Sequence, residues 1–153
     1  MRIESYHADR NALLPLFTLA DDAQAQISSY ISLGEILVAQ DSAAIIGYLQ
    51  ILETDDASVF ELKSMAVSEA RQDEGIGRAL IEAAIVRCRE CKGHRLIVST
   101  ATADIGNLRF YQRQGFRIYR VVQDAFGPST GYADGILIEG IPLRDQVFLE
   151  RDL

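Results

Sequence analysis

The stretch Val67-Ser68-Glu69-Ala70-Arg71-Gln72-Asp73-Glu74-Gly75-Ile76-Gly77-Arg78-Ala79-Leu80 carries the chain from a strand, through a short polar loop, into a long helix. Gln72-x-x-Gly75-x-Gly77 falls at the junction. Glycines there let the backbone turn tightly and approach a ligand. The first N–H groups of the helix lack intrahelical acceptors, and the aligned peptide dipoles place roughly +0.5 of an elementary charge at that end. Together these features make an anion site suited to a phosphate or pyrophosphate. A glycine-rich turn without a ligand is the competing reading of the same residues. A dinucleotide fold would want a third Gly or Ala where Leu80 stands, and an acidic ribose partner near the end of the next strand, where Val98-Ser99-Thr100 has none. A P-loop would follow its last glycine with Lys and then Ser or Thr, whereas Gly77 is followed by Arg78-Ala79.

Reading outward, Ser58 to Val67 is a strand whose alternation is imperfect and which contains Glu61 and Lys63. Glu35–Gln40 and Ala44–Leu52 are rich in β-branched residues and flank the polar Asp41-Ser42, the pattern of a hairpin. Asn11 to about Ser32 is mostly helical, with a break and a second N-cap expected at Asp21-Asp22 and an end at Gly34; Met1–Ser5 can open a strand. Downstream, Ile76 to about Lys92 is helical, with Arg78, Glu82 and Arg89 on its wet side and Gly93 as its cap. Leu96-Ile97-Val98 is a short buried strand, Ile105–Gln114 a helix stopped by Gly115, and Phe116–Val122 another strand. Gly127-Pro128-Ser129-Thr130-Gly131 is a turn-rich loop, and β-like runs follow at Ile136–Ile138 and Gln146–Leu149. Helices between hairpins on a mixed sheet predict an α/β (α+β) layer.

The 153 residues are 48% hydrophobic and 24% charged, as in an ordinary globular protein, and one domain spanning 1–153 is expected. A chain of this size buries roughly 68–70% of its unfolded surface, so its core needs no staple. Fifteen basic against twenty-two acidic side chains give 15 − 22 = −7, which argues against a nucleic-acid partner. No apolar run approaches the roughly 20 residues that cross a bilayer, and Met1-Arg2-Ile3-Glu4-Ser5 lacks a signal core, so a cytoplasmic protein without a membrane partner is expected. Cys88 and Cys91 form an isolated CxxC with no second pair to complete a metal site. They align with Leu80 and Ala84 on one helical face and are read as small core residues.

A second informative stretch is Asp104-Ile105-Gly106-Asn107-Leu108-Arg109-Phe110-Tyr111-Gln112-Arg113-Gln114-Gly115-Phe116. With both stretches in order, the sequence resembles the GNAT superfamily of acetyl-CoA-dependent N-acetyltransferases. Gln72, Gly75 and Gly77 are similar to that family's acyl-CoA motif, and Tyr111 with Gly115-Phe116 to its later helix signature. The resemblance covers about Ser58 to Val122. It implies a single GNAT-like domain: a central mixed, mostly antiparallel sheet flanked by helices, with a splayed parallel strand pair that receives acyl-CoA.

The resemblance also implies roles. The backbone of Met65, Ala66 and Val67 would pair with pantetheine, and Gln72, Asp73, Glu74, Gly75, Ile76, Gly77 and Arg78 would hold the pyrophosphate through main-chain N–H groups. Asp104 or Asn107 would contact the cosubstrate where many members have Asn. Tyr111 would be the general acid to the departing thiolate, or alternatively a capped core tyrosine. Glu61 lies on the strand where several members carry a general base, or else is a solvated strand charge. The sequence departs from the pattern in having Glu69 for a common Pro, and Asp73 and Glu74 for small and basic residues. The implied reaction moves an acetyl group from acetyl-CoA, with no metal, to a primary amine of a small molecule or peptide. An acyl-CoA sensor or interaction module of the same fold is the alternative. The acceptor would meet Ala20–Leu33 and Gln123–Gly135, where Asp21, Asp22, Asp124 and Asp134 could attract a cation or simply be solvated. A homodimer is compatible with all of this.

Overall fold

Four stretches rich in β-branched and apolar residues pair in sequence order. β1 (Arg2–Ser5) is antiparallel to β2 (Glu35–Asp41), β2 to β3 (Ala44–Glu53), and β3 to β4 (Val59–Val67). The structure, a computed structural model, describes residues 1–21 and 23–153. The chain divides into two compact units, one of Met1–Leu96 with Leu153 and the other of Ile97–Asp152.

In the first unit the predicted helical region splits into a 3-10 turn (Arg10–Leu13), α1 (Leu14–Ala20) and α2 (Gln24–Tyr30). Asp21 lies at the break, where its carboxylate accepts from the Ala23 N–H at 3.0 Å. The N-cap itself is Ala23, without a side-chain bond, and Asp22 lies outside the described residues. Past the end of α2, Arg10 donates to the carbonyls of Ile31, Leu33 and Gly34, and the fully buried Gln50 donates Nε2 to those of Tyr30 and Leu33, at 2.7 and 2.9 Å. Helix-end carbonyls need such acceptances because they have no intrahelical donors.

One face of the four strands packs on these helices through Phe17, Ile27, Tyr30, Ile36, Val38 and Tyr48, with the Phe17 and Tyr48 rings stacked at 4.2 Å. Burial of each such side chain stabilises by about 1.5–3 kcal/mol. The opposite face packs on α3 (Ile76–Glu90), so closely that a Cβ on Gly47 would lie 3.3 Å from Leu80. The expected wet side of α3 holds, with Arg78, Glu82 and Arg89 exposed. Leu80, Ala84 and Cys88 are buried as expected, but Cys91 is exposed, because α3 ends there and the chain turns off the buried stripe. That end is a Schellman turn: Gly93 N–H reaches the Cys88 carbonyl at 2.8 Å and Lys92 N–H the Arg89 carbonyl at 3.0 Å. The left-handed residue is Lys92, at φ +63°, rather than the expected Gly93.

The second unit contains β5 from Ile97 onward (strand Arg95–Ala101), α4 (Ile105–Arg113) and β6 (Arg117–Val122). After a 3-10 turn at Pro128–Thr130 come the short pair β7 (Leu137–Ile138) and β8 (Ile141–Pro142), then β9 (Gln146–Asp152), antiparallel to β6. Among the described residues no helix is long and apolar enough to cross a membrane, and no group of three or more His, Cys, Asp or Glu is placed to hold a metal.

Candidate functional site

The loop after β4 is built by its own side chains. Ser68 N–H donates to the Ile46 carbonyl at 2.8 Å, and Gln72 Nε2 reaches back to the Val67 carbonyl at 3.1 Å, closing the loop on the strand it leaves. Asp73 adopts φ +64° and Gly75 φ +82°. A Cβ on Gly75 would meet nothing within 4 Å, so the backbone conformation, and not space, calls for glycine there. Gly75 caps α3 without a side chain; the first helical bond runs from the Ala79 N–H to the Gly75 carbonyl at 3.0 Å. The N–H groups of Ile76, Gly77 and Arg78 are thus left without intrahelical acceptors, and the first turn carries no acid to fill them. That is a cradle for an anion. The Arg78 guanidinium pairs with Glu82 at 2.9 Å, and its main-chain N–H is one of the three left free at the helix start. Glu74 is likewise occupied, both of its oxygens accepting from Arg71 Nε at 3.1 Å, while Asp73 is exposed.

Met65, Ala66 and Val67 lie half-buried at the end of β4, opposite Leu49, Tyr48 and Gly47, and lead directly into this loop. Glu61, half-buried on the same strand, pairs with Leu52. The register shifts between Gln50 and Ile51, leaving Lys63 as an extra residue in β4. This bulge explains the imperfect alternation and places Glu61 on the same face as Ser64, whose hydroxyl makes a short bond with that of Tyr48. Among the described residues the Glu61 carboxylate makes no ion pair or hydrogen bond.

In the second unit, Asp104 caps α4 by accepting from the Asn107 N–H at 2.9 Å, and Asn107 Nδ2 donates to Thr100 Oγ1 at 3.2 Å. Both side chains are therefore engaged in shaping the helix start. Gly115, at φ +89°, ends α4 in a second Schellman turn, with Phe116 N–H on the Tyr111 carbonyl at 3.1 Å. The Tyr111 and Phe116 rings meet edge-on at 5.7 Å, the hydrophobic contact of that turn, and Phe110 adds a second edge contact at 5.3 Å. Tyr111 is buried, and burial, reinforced by the Asp104 charge, pushes its phenol above the ordinary range. It therefore stays protonated throughout the neutral range.

Two contributors were not singled out from the sequence. Arg71 ties the loop together, a signal carried by its spacing of three from Glu74. Gln50 has no sequence signal, since a polar residue in a run of apolar ones is distinguished only once the carbonyls it serves are known.

A sequence profile of the acetyltransferase (GNAT) domain matches residues 32–118. The uncharacterized N-acetyltransferase YvbK of Bacillus subtilis is 31% identical over 153 residues, spanning 100% of this chain and 97% of the relative. A crystal structure of a Bacillus subtilis acetyltransferase in complex with CoA superposes with a TM-score of 0.89 at 30% identity, covering 99% of this chain and 98% of that one. A GNAT family acetyltransferase from Elizabethkingia anophelis with acetyl-CoA bound gives 0.90 at 29% identity, covering 99% and 97%. The expected mixed, mostly antiparallel α/β fold class and the acetyl-CoA cosubstrate are those of these relatives. With a side-chain-free helix start in place of a charged phosphate site, and with likeness along its whole length, the chain belongs to the GNAT family of acetyltransferases.

Proposed function

We propose that this acetyltransferase acts on a primary amine of a small molecule or peptide. The carrying observation is the helix start at Gly75, whose free N–H groups suit a diphosphate without any lysine or arginine side chain. In this reading, Gln72 to Arg78 bind the diphosphate through the main chain, and the backbone of Met65 to Val67 pairs with the pantetheine arm as an added strand would. Bound acetyl-CoA supplies the activated acyl group.

The remaining steps fall to side chains. An alkyl amine with a reference pKa near about 10.4 is mostly protonated at neutral pH and attacks only once neutral. Glu61, directly or through a water, takes that proton before the attack, and once the C–N bond has formed the nitrogen gives up its second proton to solvent. Tyr111 donates its hydroxyl hydrogen to the sulfur as the C–S bond breaks. Because a simple thiol has a pKa near about 8.5 and this phenol lies well above it, the tyrosine stabilises the thiolate chiefly by hydrogen bonding.

Thiol release from acetyl-CoA across a panel of primary amines, with wild type and Glu61→Gln, tests the reading. Wild type should release thiol with at least one amine class, and the variant should lose turnover and recover part of it at alkaline pH. No release with any amine would favour a binding module. An equal relative loss at every pH would assign Glu61 to positioning.

A further inference from the structure

The loop that cradles the anion is itself acidic. Between Glu69 and Arg78 it holds Glu69, Asp73 and Glu74 against Arg71 and Arg78, and Arg78 is already paired with Glu82. Arg71 alone therefore offsets the acids of the turn. Its Nε donates to both Glu74 oxygens at 3.1 Å, and its Nη2 donates to Asp41 Oδ2 at 2.9 Å, at the end of β2. The N-terminal amine lies 3.8 Å from the other Asp41 oxygen, extending the chain of charges.

These side chains are 34% to 46% exposed, and ion pairs that exposed contribute little to stability. Their arrangement has a clearer consequence for binding. Glu74 immediately precedes Gly75, so an unpaired carboxylate there would lie beside whatever anion the helix start receives. With both of its oxygens held on Arg71, its charge is compensated and its side chain is fixed.

We propose that Arg71 is a positioning residue for the cosubstrate: it neutralises and holds Glu74 while anchoring the loop to Asp41, so that the main-chain cradle receives the diphosphate without an adjacent uncompensated carboxylate. The proposal rests on the placement of the diphosphate at Gln72 to Arg78. It extends the binding machinery to a residue outside the glycine motif, and it accounts for a loop that binds an anion while carrying more acids than bases.

The test is calorimetric titration of CoA into wild type, Arg71→Gln, Glu74→Gln, the double variant and Gly75→Val, at low and high salt, with thermal melts of each. Arg71→Gln should weaken CoA about fivefold, the scale of one unit charge at close range in water. High salt should restore part of that loss. Glu74→Gln should bind CoA at least as tightly as wild type, and adding it to Arg71→Gln should return affinity to within about twofold, with melting points within about 2 °C of one another. Unchanged affinity in Arg71→Gln, with Gly75→Val impaired, would overturn the role of Arg71 and leave the diphosphate placement standing. A double variant as weak as Arg71→Gln would also overturn it, since Glu74 would then not be the charge that matters. Unchanged affinity in both Arg71→Gln and Gly75→Val would overturn the placement itself.

Discussion

Tyr111 is held by its neighbours before any substrate arrives: it occupies the last turn of α4, its ring closes on Phe116, and burial keeps its hydroxyl protonated. Its raised pKa means the donor form persists below that value, so turnover should show no loss from tyrosine ionisation up to about pH 10, the ordinary phenol range. Tyr111→Phe removes one hydroxyl and little volume. Turnover should fall by about 10², the lower part of the range for acid assistance, with acetyl-CoA affinity unchanged. A loss of twofold or less on a working acceptor would make the tyrosine purely structural. The cysteines offer a second residue-level check. Burial pushes the Cys88 thiol up to about 12, whereas Cys91 is exposed. A disulfide-exchange reagent at neutral pH should therefore titrate one thiol per folded chain, and none in Cys91→Ser. Two fast thiols in the native protein would contradict the packing of α3.

At the scale of elements, two helices end in the same turn with different residues at the left-handed position. In α4 it is Gly115 at φ +89°, and in α3 it is Lys92 at φ +63°. Lys92→Gly should stabilise the protein by about 1 kcal/mol, since a side chain there opposes the conformation. Gly115→Ala should destabilise it by a similar amount and loosen the Tyr111 contact. Urea denaturation of both variants checks the pair, and opposite signs are expected. The same comparison shows what was legible in the sequence. Glycine before an aromatic residue marks the end of α4 correctly, whereas Gly93 draws the eye one residue past the true turn in α3. There the requirement on glycine is contact: a Cβ would lie 2.8 Å from the Phe60 ring. β4 was legible as a strand but not in its facing, because the bulge at Lys63 reverses the alternation midway. The helical period placed Cys91 in the core although it is exposed, for a related reason: periodicity assigns faces only while the helix continues.

For the whole molecule, the net charge of −7 has to be reconciled with a polyanionic cosubstrate. In the proposed binding mode the reconciliation lies in the kind of site: peptide N–H groups at the start of α3, with the arginines nearby each paired to a carboxylate. Such a site should depend weakly on ionic strength, unlike one built from free lysines and arginines. CoA affinity should change by no more than about twofold over a tenfold rise in salt. The glycine motif was readable because it encodes backbone conformation locally. The Arg71–Asp41 pair and the two carbonyls served by Gln50 were not, because their partners lie 30 and 17 to 20 residues away in sequence. The central claim, that the cosubstrate is held by the main chain around Gly75, is tested most directly by titrating acetyl-CoA into wild type and Gly75→Val, with circular dichroism confirming that the variant is folded. A valine at φ +82° strains the turn by about 1–3 kcal/mol and tilts the N–H groups away from a shared anion. The account predicts at least about a tenfold loss of affinity, the equivalent of about 1.4 kcal/mol; unchanged affinity in a folded variant would contradict it.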